Sequence, residues 1–153
     1  MYDRILVAID ATPTEENRSA LQRTEQIGKL TGATVYVLHV AREHIVPGDI
    51  TGGSGLGVRT ADDDIETVNR QAVQQLIDRL CAVGINAHGE IVGATEHDIA
   101  EVILQRAKEH DVDLIVLGHQ HHRGPGNAFR SSVAEHVIRH RPPCSILLAR
   151  PPQ

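Results

Sequence analysis

Aromatic side chains are nearly absent from this chain: they make up 2% of it, with no Trp, one Phe and two Tyr. A core here has to be built from Val, Ile, Leu and Ala, the palette of a parallel sheet buried between helices. Excess basic charge is missing too. The formal charge of −5 provides no electrostatic footprint for a nucleic-acid surface, so no nucleic-acid partner is expected. No apolar run approaches membrane-spanning length, and Met1-Tyr2-Asp3-Arg4 leads directly into a strand-like segment. Neither a membrane span nor an export signal is therefore expected. Cysteine is scarce, and Cys81 and Cys144 read as thiols kept reduced in a cytoplasmic domain rather than as a disulfide. What remains is ordinary globular composition, 41% apolar and 23% charged, over 153 residues. That is enough for one core, and residues 1–150 are expected to form a single domain without repeats or linkers.

Apolar runs and helical stripes alternate along the chain. Ile5-Leu6-Val7-Ala8-Ile9 is a strand-length run ending at Asp10. Thr12-Pro13-Thr14-Glu15 then reads as a capping box, with Ala20, Leu21, Thr24, Ile27 and Leu30 as the inward stripe and Gly32 as the stop. Thr34 to Val40 is rich in β-branched residues and predicts a second strand. Residues 41–60 break the pattern. Their Gly52-Gly53-Ser54-Gly55-Leu56-Gly57 tract neither follows a strand directly nor opens a helix, so it reads as a loop and not as a dinucleotide fingerprint. An acidic start at Asp62-Asp63-Asp64 leads into a helix with Ile65, Val68, Ala72, Leu76, Leu80 and Val83 as its apolar face, ended by Gly84.

A third strand is expected over residues 87–92, ending at Gly93. Thr95 is the expected cap of a helix facing inward through Ile99, Val102, Ile103 and Ala107. Residues 113–117 form a fourth strand. Val133, Val137 and Ile138 mark the last helix, Pro142-Pro143 breaks it, and residues 145–149 close the chain as a strand.

This alternation predicts a Rossmann-like α/β fold: a doubly wound five-stranded parallel sheet with helices on both faces. Ligands of such sheets bind beyond the carboxyl ends of the strands, where the winding reverses. Asp10, Val40, Gly93 and Gly118 occupy those ends. If the first and fourth strands are neighbours, Asp10 faces Gly118 across one crevice. Between Gly118 and Val133 the order is strand, glycine-containing loop and helix start, which suits phosphate because free N–H groups and the helix dipole favour an anion. The plainer reading is that Asp10 is a turn residue before a helix and that both glycines serve strand-end turns.

Taken in order, Ile5-Leu6-Val7-Ala8-Ile9-Asp10, Val37-Leu38-His39-Val40, Ile91-Val92-Gly93, Asp113 to Gly118, Ser132 to Ile138 and Pro143 to Leu148 resemble the universal stress protein family over nearly the whole chain. The resemblance implies the adenine nucleotide alpha hydrolase-like fold, a homodimer joined through the last strand, a cytoplasmic location and a role in stress response. It also implies ATP or AMP as the ligand. Asp10 would contact the sugar, Val40 the adenine, and Ser132 and Val133 the phosphates. The candidate nucleotide-binding set is Asp10, Val40, Gly93, Leu117, Gly118, His121, Ser131, Ser132 and Val133. The three glycines of ATP-binding members fall at positions 118, 121 and 131, where this chain has Gly118, His121 and Ser131. A side chain forfeits the positive φ or close approach that glycine allows. The pocket is therefore read as degenerate, in a regulatory or interaction module whose protein partners the sequence does not name. A functional ATP/AMP site using Gly118–Val133 is the alternative.

Two rivals belong to other classes. An enzyme is not expected: after the first strand stands Asp10-Ala11-Thr12-Pro13, not the Ser-Gly-Gly loop of adenylating relatives, and no nucleophile constellation is readable. His119, His121 and His122, with His39, offer imidazoles for a metal, but without a nearby carboxylate or thiolate they read as solvated loop histidines, and no metal is expected.

Overall fold

The computed structural model describes residues 1–9, 14–42, 61–95, 97–119 and 133–152. The elements in chain order are β1 (Arg4–Ile9), α1 (Glu15–Thr31), β2 (Thr34–Arg42), α2 (Ala61–Ala82), β3 (Ala87–Ala94), α3 (Ile99–Glu109), β4 (Leu114–Gly118), α4 (Val133–Arg139) and β5 (Ser145–Ala149). The strands form one parallel sheet in the order β3-β2-β1-β4-β5. The expected five-stranded, doubly wound architecture is present. The first half of the chain winds outward from β1 to one edge and the second half to the other, so the winding reverses between β1 and β4.

Strand alternation divides the core in two. Ile5, Val7, Val35, Val37, Leu114 and Val116 point beneath α1 and α2 with Ala20, Val73 and Leu80. Leu6, Leu38, Val40, Ile115 and Leu117 point beneath α3 and α4 with Ile103, Leu104, Ala134 and Val137. Buried on both faces, the central strands need continuous apolar runs, which is why β1 and β4 were legible as such. Asp113, just ahead of β4, ties the two halves at the amino ends of the strands. Its carboxylate accepts from the N–H of Asp3 at 2.8 Å and of Arg4 at 3.2 Å.

Several local expectations need correction. The expected cap Thr12 lies outside the described residues; α1 begins at Glu15, and the Thr14 hydroxyl caps it by accepting from the Asn17 N–H at 3.2 Å. Gly32 does stop the helix, in the left-handed region at φ 70°. Leu30 is exposed, because ten residues beyond Ala20 it is rotated roughly 80° off the inward direction. Val68 is exposed as well, and α2 buries Asn69, Val73 and Leu80 with Leu76 and Ile77 half-packed. Ile65 and Asp62 to Asp64 lie in α2, but their side chains fall outside the described set. On α3 the buried row is Ile99, Ala100, Ile103, Leu104 and Ala107, and Val102 is only half-buried. Thr95 does not cap α3. Its hydroxyl bonds the carboxylate of Asp98 at 2.5 Å, and Asp98 is the cap residue, without a side-chain cap bond. β3 runs through Gly93 to Ala94, so Gly93 sits inside the strand and not after it. On α4, Val137 is buried and Ile138 is exposed.

Both cysteines are free thiols, Cys81 exposed and Cys144 half-buried. Burial, with the Asp113 carboxylate beside it, pushes the Cys144 thiol up and keeps it protonated at neutral pH.

Candidate functional site

The ladder registers locate a notch, the carboxyl edge of the sheet where the winding reverses. β1 pairs with β2 as far as Ile9↔His39 and with β4 as far as Ala8↔Leu117. The flanking ladders continue further. β2 and β3 pair through Arg42↔Ala94, and β4 and β5 through Gly118↔Ala149, beyond which the His119 N–H donates to the Ala149 carbonyl at 2.9 Å. Among the described residues β2 runs three residues past the level of Ile9, Gly118 stands level with Ile9, and the winding reverses between β1 and β4.

Of the candidate nucleotide-binding residues, Val40, Gly93, Leu117, Gly118 and Val133 are described. Val40 is buried on the α3 face of β2, one strand from the notch. Leu117 is buried on the same face of β4, on the notch's other side, and half-buried Val133 packs against that core at the start of α4. Gly118 ends β4 beside the notch. Gly93 lies on the edge strand β3, three strand spacings or about 14 Å from β4, so it does not share the notch with Gly118. The row from Gly93 through Val40 and Ile9 to Gly118 follows the carboxyl edge. Asp10, His121, Ser131 and Ser132 lie outside the described residues, as does His122.

Gly118 has a requirement that sequence reasoning missed. A Cβ at this position would stand 2.9 Å from the main-chain oxygen of Glu16 and 3.0 Å from its carbonyl carbon and Cβ. The first turn of α1 therefore rests directly on the backbone at the end of β4. No signal in the sequence links residues 16 and 118; only the winding brings them together.

His39, which the sequence left as an optional metal ligand, is 2% exposed. Its Nδ1 lies 3.1 Å from the Ile9 carbonyl oxygen. The oxygen can only accept, so Nδ1 carries the hydrogen. Among the described residues no group of three His, Cys, Asp or Glu side chains is placed to hold a metal ion.

A second concavity lies at the opposite end of the sheet. A half-open groove of about 470 Å³ is lined by Leu6, Tyr36, Leu38, Glu90, Arg106 and His110, among others. The Tyr36 ring stacks on His110 at 4.4 Å and on His88 at 5.7 Å between centroids. Arg106 pairs with Glu90 at 3.2 Å and also with Glu109, whose carboxyl the Arg106 hydrogen bond holds below the usual carboxylate range. The Glu90 carboxylate also lies 3.7 Å from His110 Nε2. Arg106, Glu90 and Glu109 pair with one another there, whereas the notch lies at the winding reversal where ligands of such sheets bind, so the notch is the stronger site. The alternation of His88 and Glu90 on β3, with Arg106 and His110 one turn apart, was the available signal for this cluster.

A parallel sheet ordered 3-2-1-4-5, with its winding reversed between β1 and β4, has the adenine nucleotide alpha hydrolase-like fold. The chain belongs to the universal stress protein family, whose sequence pattern matches residues 1–150. Solved structures agree in fold. The chain resembles a universal stress protein family member from Burkholderia pseudomallei with 22% identity and a TM-score of 0.70, covering 99% of this chain and 97% of that one. It is similar to a universal stress protein from Archaeoglobus fulgidus in complex with dAMP at 22% identity and a TM-score of 0.64, with 97% and 98% covered. An Arabidopsis thaliana family protein with AMP bound is 17% identical with a TM-score of 0.66, covering 98% of this chain and 92% of that one. Comparison with curated protein sequences finds no match.

Proposed function

We propose that this chain is a non-enzymatic regulatory module of stress response whose adenine-nucleotide pocket is weakened at the phosphate loop. The observation that carries the reading is the winding reversal between β1 and β4, with Val40 on the β2 side and Leu117 and Gly118 on the β4 side. Ligands of such sheets bind at this reversal, and this reading puts the base toward β2 and the phosphates toward the helix start. Relatives of this fold hold dAMP and AMP, which supports the same ligand class here. His121 and Ser131 stand where ATP-binding members carry glycine, and that favours weak retention of phosphate over tight binding. Titration calorimetry with ATP and AMP, on protein first stripped of carried-over nucleotide, tests this. The expected result is a Kd weaker than about 100 μM for both; binding tighter than about 1 μM would sink the degenerate-site reading.

The same reading includes a cytoplasmic homodimer formed edge to edge through β5. Ile146, Leu147 and Leu148 are each only half-buried on a strand that, among the described residues, has one unpaired edge, and pairing two such edges would cover them. Light scattering behind size exclusion should give twice the chain mass at micromolar concentration. A strict monomer rejects the dimer.

A further inference from the structure

Helix α4 ends at Arg139, and its last turn sets two histidines at the i, i+4 spacing, His136 inside the helix and His140 just past it. Their ring centroids lie 6.4 Å apart with the planes tilted by 43°. His140 is exposed and His136 half-buried, so the pair lies at the surface. The His136 carbonyl accepts twice, from the His140 main-chain N–H at 3.2 Å and from the His140 ring Nδ1 at 2.6 Å. A carbonyl oxygen can only accept, so Nδ1 carries the hydrogen. In the neutral ring, Nε2 then keeps its lone pair, in one tautomer and one orientation. An Nδ1–H given to a carbonyl is the support that metal-binding histidines use, because it fixes the ring and raises the basicity of the other nitrogen. Alone, this bond would be a helix cap. A second imidazole one turn earlier supplies a second donor beside it.

Two imidazoles sharing one ion at ordinary metal–nitrogen distances stand roughly 5 Å apart between centroids. Closing from 6.4 Å needs only a small χ2 rotation, and that torsion is broad for histidine. The carbonyl end of the helix also favours a cation. Arg139 and Arg141 flank the pair and oppose one, but both are exposed and screened by solvent and salt. We propose that His136 and His140 form a two-imidazole chelating site for a divalent ion of the nickel, copper or zinc class, the ions imidazole suits. Among the described residues no third protein ligand joins them, so water completes the coordination and the ion exchanges readily. The proposal does not rest on the nucleotide reading, nor on His119, His121 or His122.

Nickel chloride is the probe, since the free thiols of Cys81 and Cys144 do not reduce Ni2+. Chelator-washed protein in a non-coordinating buffer at about pH 7.5, where imidazole is neutral, is titrated by calorimetry and by NMR. Wild type should bind Ni2+ with a Kd of about 10–100 μM, and paramagnetic broadening should centre on residues 136 and 140. His136→Gln and His140→Gln should each weaken binding at least about tenfold, because a single imidazole has no chelate partner. His140 is exposed, so its variant tests the site without disturbing the core. Replacing His119, His121 and His122 together by Gln should leave the affinity within about threefold of wild type. Wild-type affinity in both single variants overturns the proposal. So does broadening centred elsewhere, a loss of binding confined to the triple variant, or a wild-type Kd weaker than about 1 mM.

Discussion

Gly118→Ala should lower the stability of nucleotide-free protein by about 2–3 kcal/mol, a fall of roughly 5–10 °C in Tm. The new methyl would meet the main-chain oxygen of Glu16 at 2.9 Å, closer than real Cβ contacts come. A flexible side-chain end could swing away. A helical carbonyl cannot, so either the first turn of α1 lifts from β4 or β4 shifts within a ladder that pairs on both sides. Calorimetric melting of stripped protein checks the result, and a wild-type Tm would show that α1 does not rest on this backbone. The outcome bears on function. Gly118 is the one motif glycine this chain retains, and helix packing alone accounts for it. Its presence is therefore no sign that phosphate binds.

His121→Gly combined with Ser131→Gly should strengthen ATP binding at least about tenfold, equivalent to about 1.4 kcal/mol. Both positions are glycine in ATP-binding members of the family, and both lie between the end of β4 and the start of α4. Restoring glycine returns the freedom to take positive φ and lets the main chain approach an anion closely. ATP should gain more than AMP, because two further phosphates would lie against this loop. The double variant and wild type are compared by titration calorimetry under one salt condition. Equal affinities would mean that these two side chains do not limit the pocket.

The fold was largely legible because it depends on patterns that one residue cannot disguise. Ile5 to Ile9 and Leu114 to Leu117 are continuous apolar runs, as strands covered on both faces must be, and Gly32 and Gly84 close helices in the left-handed region. Helix faces were less legible. Leu30 and Val68 fit a loose apolar count yet lie off the buried stripe by a large rotation, and small residues such as Ala20 and Ala100 take the inward places. The Thr12 or Thr14 choice of cap was beyond sequence, since both are good caps and only tertiary fit selects the first turn. Leu117 and Gly118 fall at the carboxyl end of β4 as counted from sequence, whereas β2 runs two residues past Val40. The Gly118–Glu16 approach and the His39–Ile9 bond join residues far apart in sequence, each with a chemically unremarkable neighbourhood. Pairings of that kind come from topology alone.

The central place of β1 also has a consequence in time. Its ladder with β2 joins residues about thirty apart, but the ladder with β4 and the Asp113 bonds to Asp3 and Arg4 join residues about 110 apart. On a ribosome adding roughly 5–20 residues per second, the flank of β1 that awaits β4 stays open for on the order of 5–20 s after β1 emerges. During that interval Ile5 to Ile9 offers an apolar strand with an unsatisfied edge to any neighbouring nascent chain. The strand that organises the finished sheet is thus the part most in need of shelter while the protein is being made.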